Sequence, residues 1–265
     1  MRPHEEGELS TGVPFLRLGS GPALLVAAGL TAEHANPKAR WRDLSLKWAA
    51  PFAEHFTVWM VNRRPGLAKG ATVSDLAADY AGAIAKDLGG GPVHVHGTST
   101  GGSVALQLAI DHPHLVQRLV VAASAYRLSD RGRALQQEVA ARTASGDPRG
   151  AWAAMLAAMS PPALRLPARG LGWAVGQWFT SDDPSDMLRV IEAEDVFDVR
   201  SSLDRITAPT LVLGGTKDVF YSEELFRGTA DGIPGGQVMI YEGKGHAHVA
   251  GSKAPATTAL GFLLG

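Results

Sequence analysis

Short apolar runs alternate with longer amphipathic stretches along most of the chain. The apolar runs predict buried strands at residues 23–28, 56–61, 92–96, 116–123, 210–213 and 237–241. Apolar residues at helical spacing predict helices at residues 41–55, 72–88, 101–112 and 255–264. Thr72 or Ser74 is a candidate N-cap for the second of these helices. Strands that alternate with helices of this length favour an α/β fold, with a mostly parallel sheet and helices on both faces.

One long segment, residues 126–203, breaks this alternation. It contains no convincing strand, and its pattern predicts helices at 130–144, 148–159 and 185–197 with prolines between them. We therefore predict an α/β core formed by residues 1–125 and 204–265, into which residues 126–203 are inserted as a helical cap. Aromatic and methionine side chains in the cap either pack it against the core or line a pocket. Trp152, Met155 and Trp178 are the predicted substrate-binding residues of this group.

Composition narrows the class of protein. The 265 residues suit one large domain, and 45% hydrophobic with 19% charged residues is typical of a globular protein. The net charge of -1 and the absence of charge blocks indicate no nucleic-acid or membrane partner. There is no cysteine, which excludes disulfides, thiolate metal sites and a cysteine nucleophile. No apolar run reaches the roughly 18 residues of a membrane span, and the N-terminus is polar, so we expect a cytoplasmic protein.

A Gly-X-Ser-X-Gly sequence, Gly97-Thr98-Ser99-Thr100-Gly101, lies between a predicted strand and a predicted helix. In this setting the chain must reverse within about three residues, and the two glycines leave room for a strained backbone at Ser99. The turn would raise the Ser99 hydroxyl above the sheet edge at a helix N-terminus, with the Thr100 N–H directed at an oxyanion. A strand–helix connection without chemistry is the alternative. A phosphate-binding loop is disfavoured because no Lys-Ser/Thr pair follows the turn.

A serine nucleophile needs a base that a third group orients. His246 follows the last predicted strand in Gly243-Lys244-Gly245-His246, where small neighbours would let it reach over the sheet edge. His248, two residues later, is its main competitor. His94 and His96 are predicted to be structural because they lie in or at the end of a strand. The remaining histidines are interpreted as surface or turn residues: His4, His34, His55, His112 and His114.

The candidate acid, Asp218, follows the penultimate predicted strand. A carboxylate there would emerge at the same sheet edge as the serine and the histidine. It would accept a hydrogen bond from His246, fix its tautomer and stabilise the imidazolium. An ordinary turn aspartate is the alternative. Asp195, Asp198 and Asp204 are rivals, but they precede that strand.

The order Ser99, Asp218, His246, each after a strand, resembles the α/β-hydrolase superfamily, and in particular its carboxylesterase-like serine hydrolases with a helical cap. The resemblance covers nearly the whole chain and is strongest at residues 93–109, 210–218 and 238–246. It implies a mostly parallel sheet of eight or slightly fewer strands, with the cap inserted after the sixth strand.

The resemblance also implies a second oxyanion donor in the loop after the third strand. Many members carry His-Gly-X there, whereas this chain has Ala28-Gly29-Leu30. The backbone N–H of Leu30 would then be the donor, and Gly29 would border the substrate. A second departure follows the fourth strand. The Asp-X-X-Gly-X-Gly-X-Ser segment of many relatives, which usually has a structural role, is replaced by Asn62-Arg63-Arg64-Pro65-Gly66-Leu67. Residues 8–18 offer one compact hairpin at most.

These residues predict acyl transfer to water without a metal or cofactor. The expected substrate is a small or medium, partly apolar ester seated under the cap, and the protein is expected to be a monomer or homodimer. Lactones, thioesters, carbon–carbon bonds beside a carbonyl and cofactor-free perhydrolysis use the same constellation. A hydrolase fold that binds a small molecule with little or no turnover is the alternative from another class of protein.

Overall fold

The computed structural model describes residues 3–176 and 181–265 and has an eight-stranded sheet flanked by helices. The strands are β1 His4–Glu8, β2 Pro14–Leu18, β3 Ala23–Ala27, β4 Thr57–Val61, β5 Val93–Thr98, β6 Val116–Ala122, β7 Thr210–Gly215 and β8 Gln237–Tyr241. Their order across the sheet is β1-β2-β4-β3-β5-β6-β7-β8. The two edge pairs β1–β2 and β2–β4 are antiparallel and all other pairs are parallel. The predicted α/β class with a mostly parallel sheet is therefore confirmed.

Helices cover both faces of this sheet. They are α1 Ala39–Ala49, α2 Val73–Asp87, α3 Thr100–Asp111, α4 Asp130–Ala144, α5 Pro148–Met159, α6 Arg165–Val175, α7 Ser185–Asp195, α8 Glu223–Gly232, α9 His246–Gly251 and α10 Lys253–Leu264. Thr72 caps α2 in a reciprocal pair with Asp75, in which each side chain bonds the backbone N–H of the other residue. Thr72, rather than Ser74, is thus the N-cap.

The alternating strand pattern buries two apolar layers, one on each face. One layer packs β-strand side chains against α2, α3 and α8, with Leu76, Val104 and Phe226 among its members. The other layer packs against α1 and α10, with Leu46 and Leu263 among its members. Because both faces are covered, the central strands β3, β5, β6 and β7 are buried along nearly their whole length.

The segment between β6 and β7 is helical, as its pattern predicts. Helices α4 and α5 have the predicted bounds, α7 ends two residues earlier than expected, and α6 is a helix that the sequence pattern did not indicate. An isolated antiparallel bridge between Arg127 and Asp198 closes the neck of the segment. We call α4–α7 the helical insertion. The predicted division into core and cap domains stays a prediction.

Two differences from the expectations concern the ends of the chain. Residues 4–18 form a regular two-stranded hairpin, β1–β2, that extends the sheet. His246, expected in a loop, is the first residue of the short helix α9. Across residues 3–176 and 181–265, none of the helices has the length and apolar character to cross a bilayer.

Candidate active site

The turn between β5 and α3 holds Ser99 in a strained conformation. Its backbone has φ +52° and ψ -125°, a left-handed region that L residues seldom occupy. The Ser99 N–H donates to the carbonyl oxygen of Ala122 at 2.9 Å, which ties the turn to the end of β6. A strained residue persists only where its surroundings fix it, and such residues cluster at functional sites.

Glycines permit this turn through close packing. A Cβ at Gly97 would overlap the carbonyl oxygen of Gly101, and one at Gly101 would overlap the carbonyl oxygen of Ala27 at the end of β3. Side chains at either position would therefore push α3 away from the strands. The expectation that both glycines make room for the serine turn agrees with this packing.

Three predicted side chains meet at the carboxyl edge of the sheet. The Oγ of half-buried Ser99 lies 3.0 Å from Nε2 of His246, and Nδ1 of the same ring lies 2.8 Å from Oδ2 of Asp218. These two contacts put the histidine between a hydroxyl and a carboxylate, as a base and its orienting group require. The competitor His248 instead packs its ring against Tyr241, with ring centroids 6.1 Å apart.

The surroundings of Asp218 hold its carboxylate in one orientation. Its side chain is fully buried, and Oδ1 accepts the backbone N–H groups of Phe220 at 2.8 Å and Tyr221 at 3.3 Å. The rings of the same two residues pack on His246, with centroids 4.7 and 6.2 Å away. One turn thus holds both the acid and the imidazole ring. Oδ2 remains free of these backbone contacts and faces the ring.

Backbone N–H groups beside Ser99 are available to an oxyanion. Thr100 is the first residue of α3, where N–H groups lack an intrahelical acceptor. Within the described residues, the N–H groups of Leu30 and Thr100 have no backbone acceptor. A Cβ built on Gly29 would lie 3.4 Å from the Cβ of Ser99, so the Gly29–Leu30 peptide borders the serine.

A cavity of about 330 Å³ opens above Ser99. Its wall includes the predicted residues Gly29, Leu30, Thr100, Trp152 and Met155. The helical insertion adds further apolar side chains that were not predicted individually: Val139, Leu156, Met159 and Met187. Trp178, also predicted to bind substrate, lies outside the described residues.

A buried carboxyl group, Glu194 of α7, is among the residues that line this cavity. Its oxygens accept hydrogen bonds from the hydroxyls of Thr100 at 2.8 Å and Ser103 at 3.0 Å, and from the amide of Gln136 at 2.9 Å. Burial raises the pKa of Glu194, against the opposing effect of these three donors. Glu194 therefore joins the helical insertion to the helix that follows the serine. Sequence reasoning missed it, although Glu194 continues the apolar stripe of Met187, Val190 and Ile191.

Asn62 and Arg63 hold the loop after β3, so the segment that departs from many relatives has a structural task. The Asn62 amide donates to the carbonyls of Glu33 and Ala35, at 3.0 and 2.9 Å. The Arg63 guanidinium, which is 1% exposed, donates to carbonyls earlier in the same loop. Sequence reasoning did not single out Arg63, since neighbouring Arg64 looks equivalent but pairs with Asp79 near the surface.

His34 corrects one expectation. It was interpreted as a surface or turn residue, yet its side chain is fully buried. Its Nδ1–H donates to the carbonyl of Arg64 at 3.0 Å, and its Nε2 accepts from Nε of Arg63 at 3.2 Å. Burial, with the nearby Arg63 charge, lowers the pKa of His34 to about 4. The buried His34 ring thus supplies a hydrogen-bond acceptor to the buried Arg63 guanidinium.

His94 and His96 are buried in β5, in line with the structural role predicted for them. The ring of His96 packs against those of Trp48 and Phe52. In the part of the chain that the structure describes, no three His, Asp or Glu side chains converge where a metal ion could bind.

Comparison with known proteins places the chain in a family. The model of the α/β hydrolase family matches residues 24–259, so this protein belongs to the α/β hydrolase family. An uncharacterised protein of Mycobacterium tuberculosis is 28% identical over 264 residues, which cover 88% of this chain and 72% of that protein.

Solved structures show the same fold. MGS-M2, an α/β hydrolase enzyme from a Medee basin deep-sea metagenome library, matches with a TM-score of 0.81 and 16% identity, over 96% of this chain and 94% of that one. The enol-lactonase of Burkholderia xenovorans LB400 matches with a TM-score of 0.79 and 18% identity, over 98% and 100%. The resemblance to α/β hydrolases predicted from the sequence is thus confirmed, and the structural neighbours include hydrolases.

Proposed function

We propose that this protein is a serine hydrolase that cleaves a small or medium, partly apolar carboxylic ester through an acyl-enzyme intermediate. The observation that carries the proposal is the pair of contacts that His246 makes, 3.0 Å to the Ser99 hydroxyl and 2.8 Å to the Asp218 carboxylate, at the floor of an apolar cavity.

The geometry supports the following sequence of steps. Ser99 Oγ attacks the ester carbonyl carbon while Nε2 of His246 takes the hydroxyl proton. The carbonyl electron pair moves to oxygen, where the N–H groups of Leu30 and Thr100 stabilise the oxyanion. Collapse of this intermediate expels the alcohol, which leaves with the proton from His246. Water then attacks the acyl-Ser99 ester by the same route and releases the acid, while the Asp218 carboxylate keeps the His246 ring oriented.

The cavity indicates the kind of ester. Its volume of about 330 Å³ lies at the small end of the range for ligand pockets, roughly 300–1,000 Å³. Its wall is mainly apolar, and none of the described residues that line it is Lys or Arg. A substrate carboxylate would find no cationic partner there, so we favour a neutral ester with a modest apolar group.

A fluorophosphonate probe read out by intact mass tests the proposal. We expect one adduct on the wild-type protein, located at Ser99, and none on folded Ser99→Ala. The matched pair His246→Ala and His248→Ala separates the proposed base from its competitor, since only the first should lose labelling and p-nitrophenyl ester turnover. Folded wild-type protein with neither an adduct nor turnover would overturn the proposal and favour a small-molecule-binding protein.

A second experiment tests which class of bond the protein cleaves. A panel of neutral esters, lactones and thioesters with graded chain length should give the highest kcat/KM for an ester with a short or medium apolar group. Preference for a lactone or thioester would retain the serine mechanism and correct the substrate class.

A further inference from the structure

The Arg63 guanidinium donates hydrogen bonds to the loop that carries Leu30, the second candidate oxyanion donor. Its Nη1 donates to the carbonyl oxygen of Ala28 and its Nη2 to that of Gly29, both at 2.9 Å. Nη2 also donates to the Thr31 hydroxyl at 2.9 Å, and Nε donates to His34. The guanidinium group therefore contacts four residues of one loop, Ala28, Gly29, Thr31 and His34.

These contacts fix the orientation of a peptide plane. The carbonyl of Gly29 and the N–H of Leu30 belong to the same peptide group, and the described chain has no cis peptide bond. In a trans peptide the C=O and N–H bonds point in opposite directions. Because the Gly29 oxygen is directed to Arg63, the Leu30 N–H is directed to the other side of the loop.

The other side of the loop faces the serine. A Cβ on Gly29 would lie 3.4 Å from the Ser99 Cβ, and Gly29, Leu30 and Ser99 all line the same cavity. A loop peptide outside regular secondary structure has no neighbouring ladder to hold its orientation, so a flip would present a carbonyl to the cavity in place of an N–H. The partial negative charge of that carbonyl would oppose an oxyanion instead of stabilising it.

We propose that Arg63 is a positioning residue for the reaction: it holds the Gly29–Leu30 peptide with its N–H directed at the oxyanion formed on Ser99. The inference rests on the proposed function. It links the two loops in which this chain differs from many relatives: the loop after β3 lacks the usual histidine, and Arg63, at a variable position of the segment after β4, binds that loop. A guanidinium suits the task, since its planar fork reaches two adjacent carbonyls at once.

Two substitutions of Arg63 test this role, with Arg64 as the matched control. Arg63→Met keeps the length of the side chain but has no donor, and it should lower kcat about a hundredfold with KM within about threefold of wild type. Arg63→Lys keeps one donor group, so its kcat should fall less than that of Arg63→Met. Arg64→Met removes the neighbouring arginine, which pairs with Asp79 rather than with the loop, and should retain kcat. Rates are normalised to active sites by fluorophosphonate titration, so loss of folded protein does not count as loss of kcat.

An inhibitor pair separates positioning from general support of the fold. An aryl trifluoromethyl ketone forms an oxyanion on the serine, whereas the matching alcohol has no carbonyl. In the Arg63 variants the Ki of the ketone should rise in step with the loss of kcat/KM, while the Kd of the alcohol stays constant. If Arg63→Met does not fold, Arg63→Lys carries the same comparison.

The outcomes distinguish this inference from the function on which it rests. Equal kcat in the Arg63 and Arg64 variants, or equal weakening of ketone and alcohol, overturns the role of Arg63 while wild-type turnover and labelling leave the serine hydrolase intact. Absence of labelling and turnover in the folded wild-type protein overturns both.

Discussion

The carboxyl edge of the sheet and the helical insertion differ in how their positions are fixed. At the edge, the backbone packs so closely at Gly97 and Gly101 that a Cβ at either position would overlap a carbonyl oxygen. This close packing holds the serine turn in its observed conformation. The insertion meets the core through apolar side chains such as Val190 and Ala193, and through polar contacts such as those that Asp186 accepts from the N–H groups of Gly66 and Leu67 at 2.8 and 2.7 Å. Its cavity wall is rich in methionine, an unbranched side chain that adapts to different shapes.

Under the proposed function, this difference would give the two regions separate tasks. Bond cleavage needs reacting groups held within a fraction of an ångström, which backbone packing provides. Substrate choice tolerates adaptation, which flexible apolar side chains provide. We therefore expect substitutions at the edge to change rate greatly and substitutions in the insertion to change preference modestly.

The largest effect should come from Asp218→Asn at the edge. The asparagine amide would donate to Nδ1 of His246, which leaves Nε2 protonated and unable to accept from Ser99. We expect kcat to fall about 10³- to 10⁴-fold, the scale of this change in other triads. Steady-state kinetics with circular dichroism as a folding check measures it. Asp204→Asn, at an exposed rival aspartate, should keep the wild-type rate; a near-normal rate in Asp218→Asn would refute the assignment of the acid.

Glu194→Ala tests the contact between the two regions. The substitution leaves three buried donors without their acceptor, and each such group costs about 1–3 kcal/mol. Since the site can partly relax, we expect the free energy of unfolding to fall by roughly 2–4 kcal/mol in urea denaturation. Glu192→Ala, on the exposed side of the same helix, serves as control. Equal stability of the two variants would show that the buried carboxyl does not join the regions energetically.

The pH dependence of stability tests the burial of His96 in β5. Burial lowers the pKa of His96 to about 4, below the value of 6.5 for an unperturbed histidine. As the pH falls below 6.5, the His96 ring therefore takes up a proton in the unfolded chain but stays neutral in the native protein. This group stabilises the fold above pH 6.5, and its contribution is lost as the pH falls from 6.5 towards 4.

The magnitude follows from the lowered pKa. Between pH 6.5 and 5 the loss is on the order of 2 kcal/mol. Urea denaturation of wild type and His96→Phe at both pH values isolates this group as the difference between the two pH dependences. His55→Gln, at an exposed histidine, should follow wild type. A His96→Phe variant with unchanged pH dependence would contradict the predicted sign and size.

The smallest effect should come from the insertion wall. Met155→Ala enlarges the cavity, so the ratio of kcat/KM for a longer over a shorter acyl chain should rise about tenfold, as a few methylenes in an apolar pocket permit. The rate on the shortest ester should change little. Met239→Ala, at an exposed methionine of β8, is the matched control. A large fall in kcat for every chain length would instead give Met155 a part in fixing the reacting groups.

The sequence predicted the edge better than the insertion for a physical reason. Ser99, Asp218 and His246 each follow a strand within a few residues of glycines, so local rules place them together. Glu194 and Arg63 act through partners as far as 94 and 35 positions away, and no local pattern identifies such pairs. The stripe of α7 gave a signal for Glu194, since it puts a carboxyl at an apolar position.

Helix α6 was missed for a related reason. Its two glycines, Gly170 and Gly172, oppose helix formation in isolation, whereas Pro167 is tolerated because it lies in the first turn. One of them, Gly172, lets α6 approach α5 where a Cβ would crowd the backbone of Trp152 and Ala153. Tertiary contact therefore overrides the local preference, and the sequence alone does not reveal the contact.

The neck of the insertion holds the two ends of the segment close together. The chain leaves β6 and returns to β7, two adjacent parallel strands, and the bridge of Arg127 with Asp198 joins the outgoing and returning chains. In the connectivity of the sheet, the segment beyond that bridge is one loop between β6 and β7. The entropic cost of closing such a loop depends only weakly on its length. If the proposed function holds, we expect that grafting a different helical segment at this junction changes substrate preference, provided that the graft keeps counterparts of Gln136 and Glu194 to bind α3.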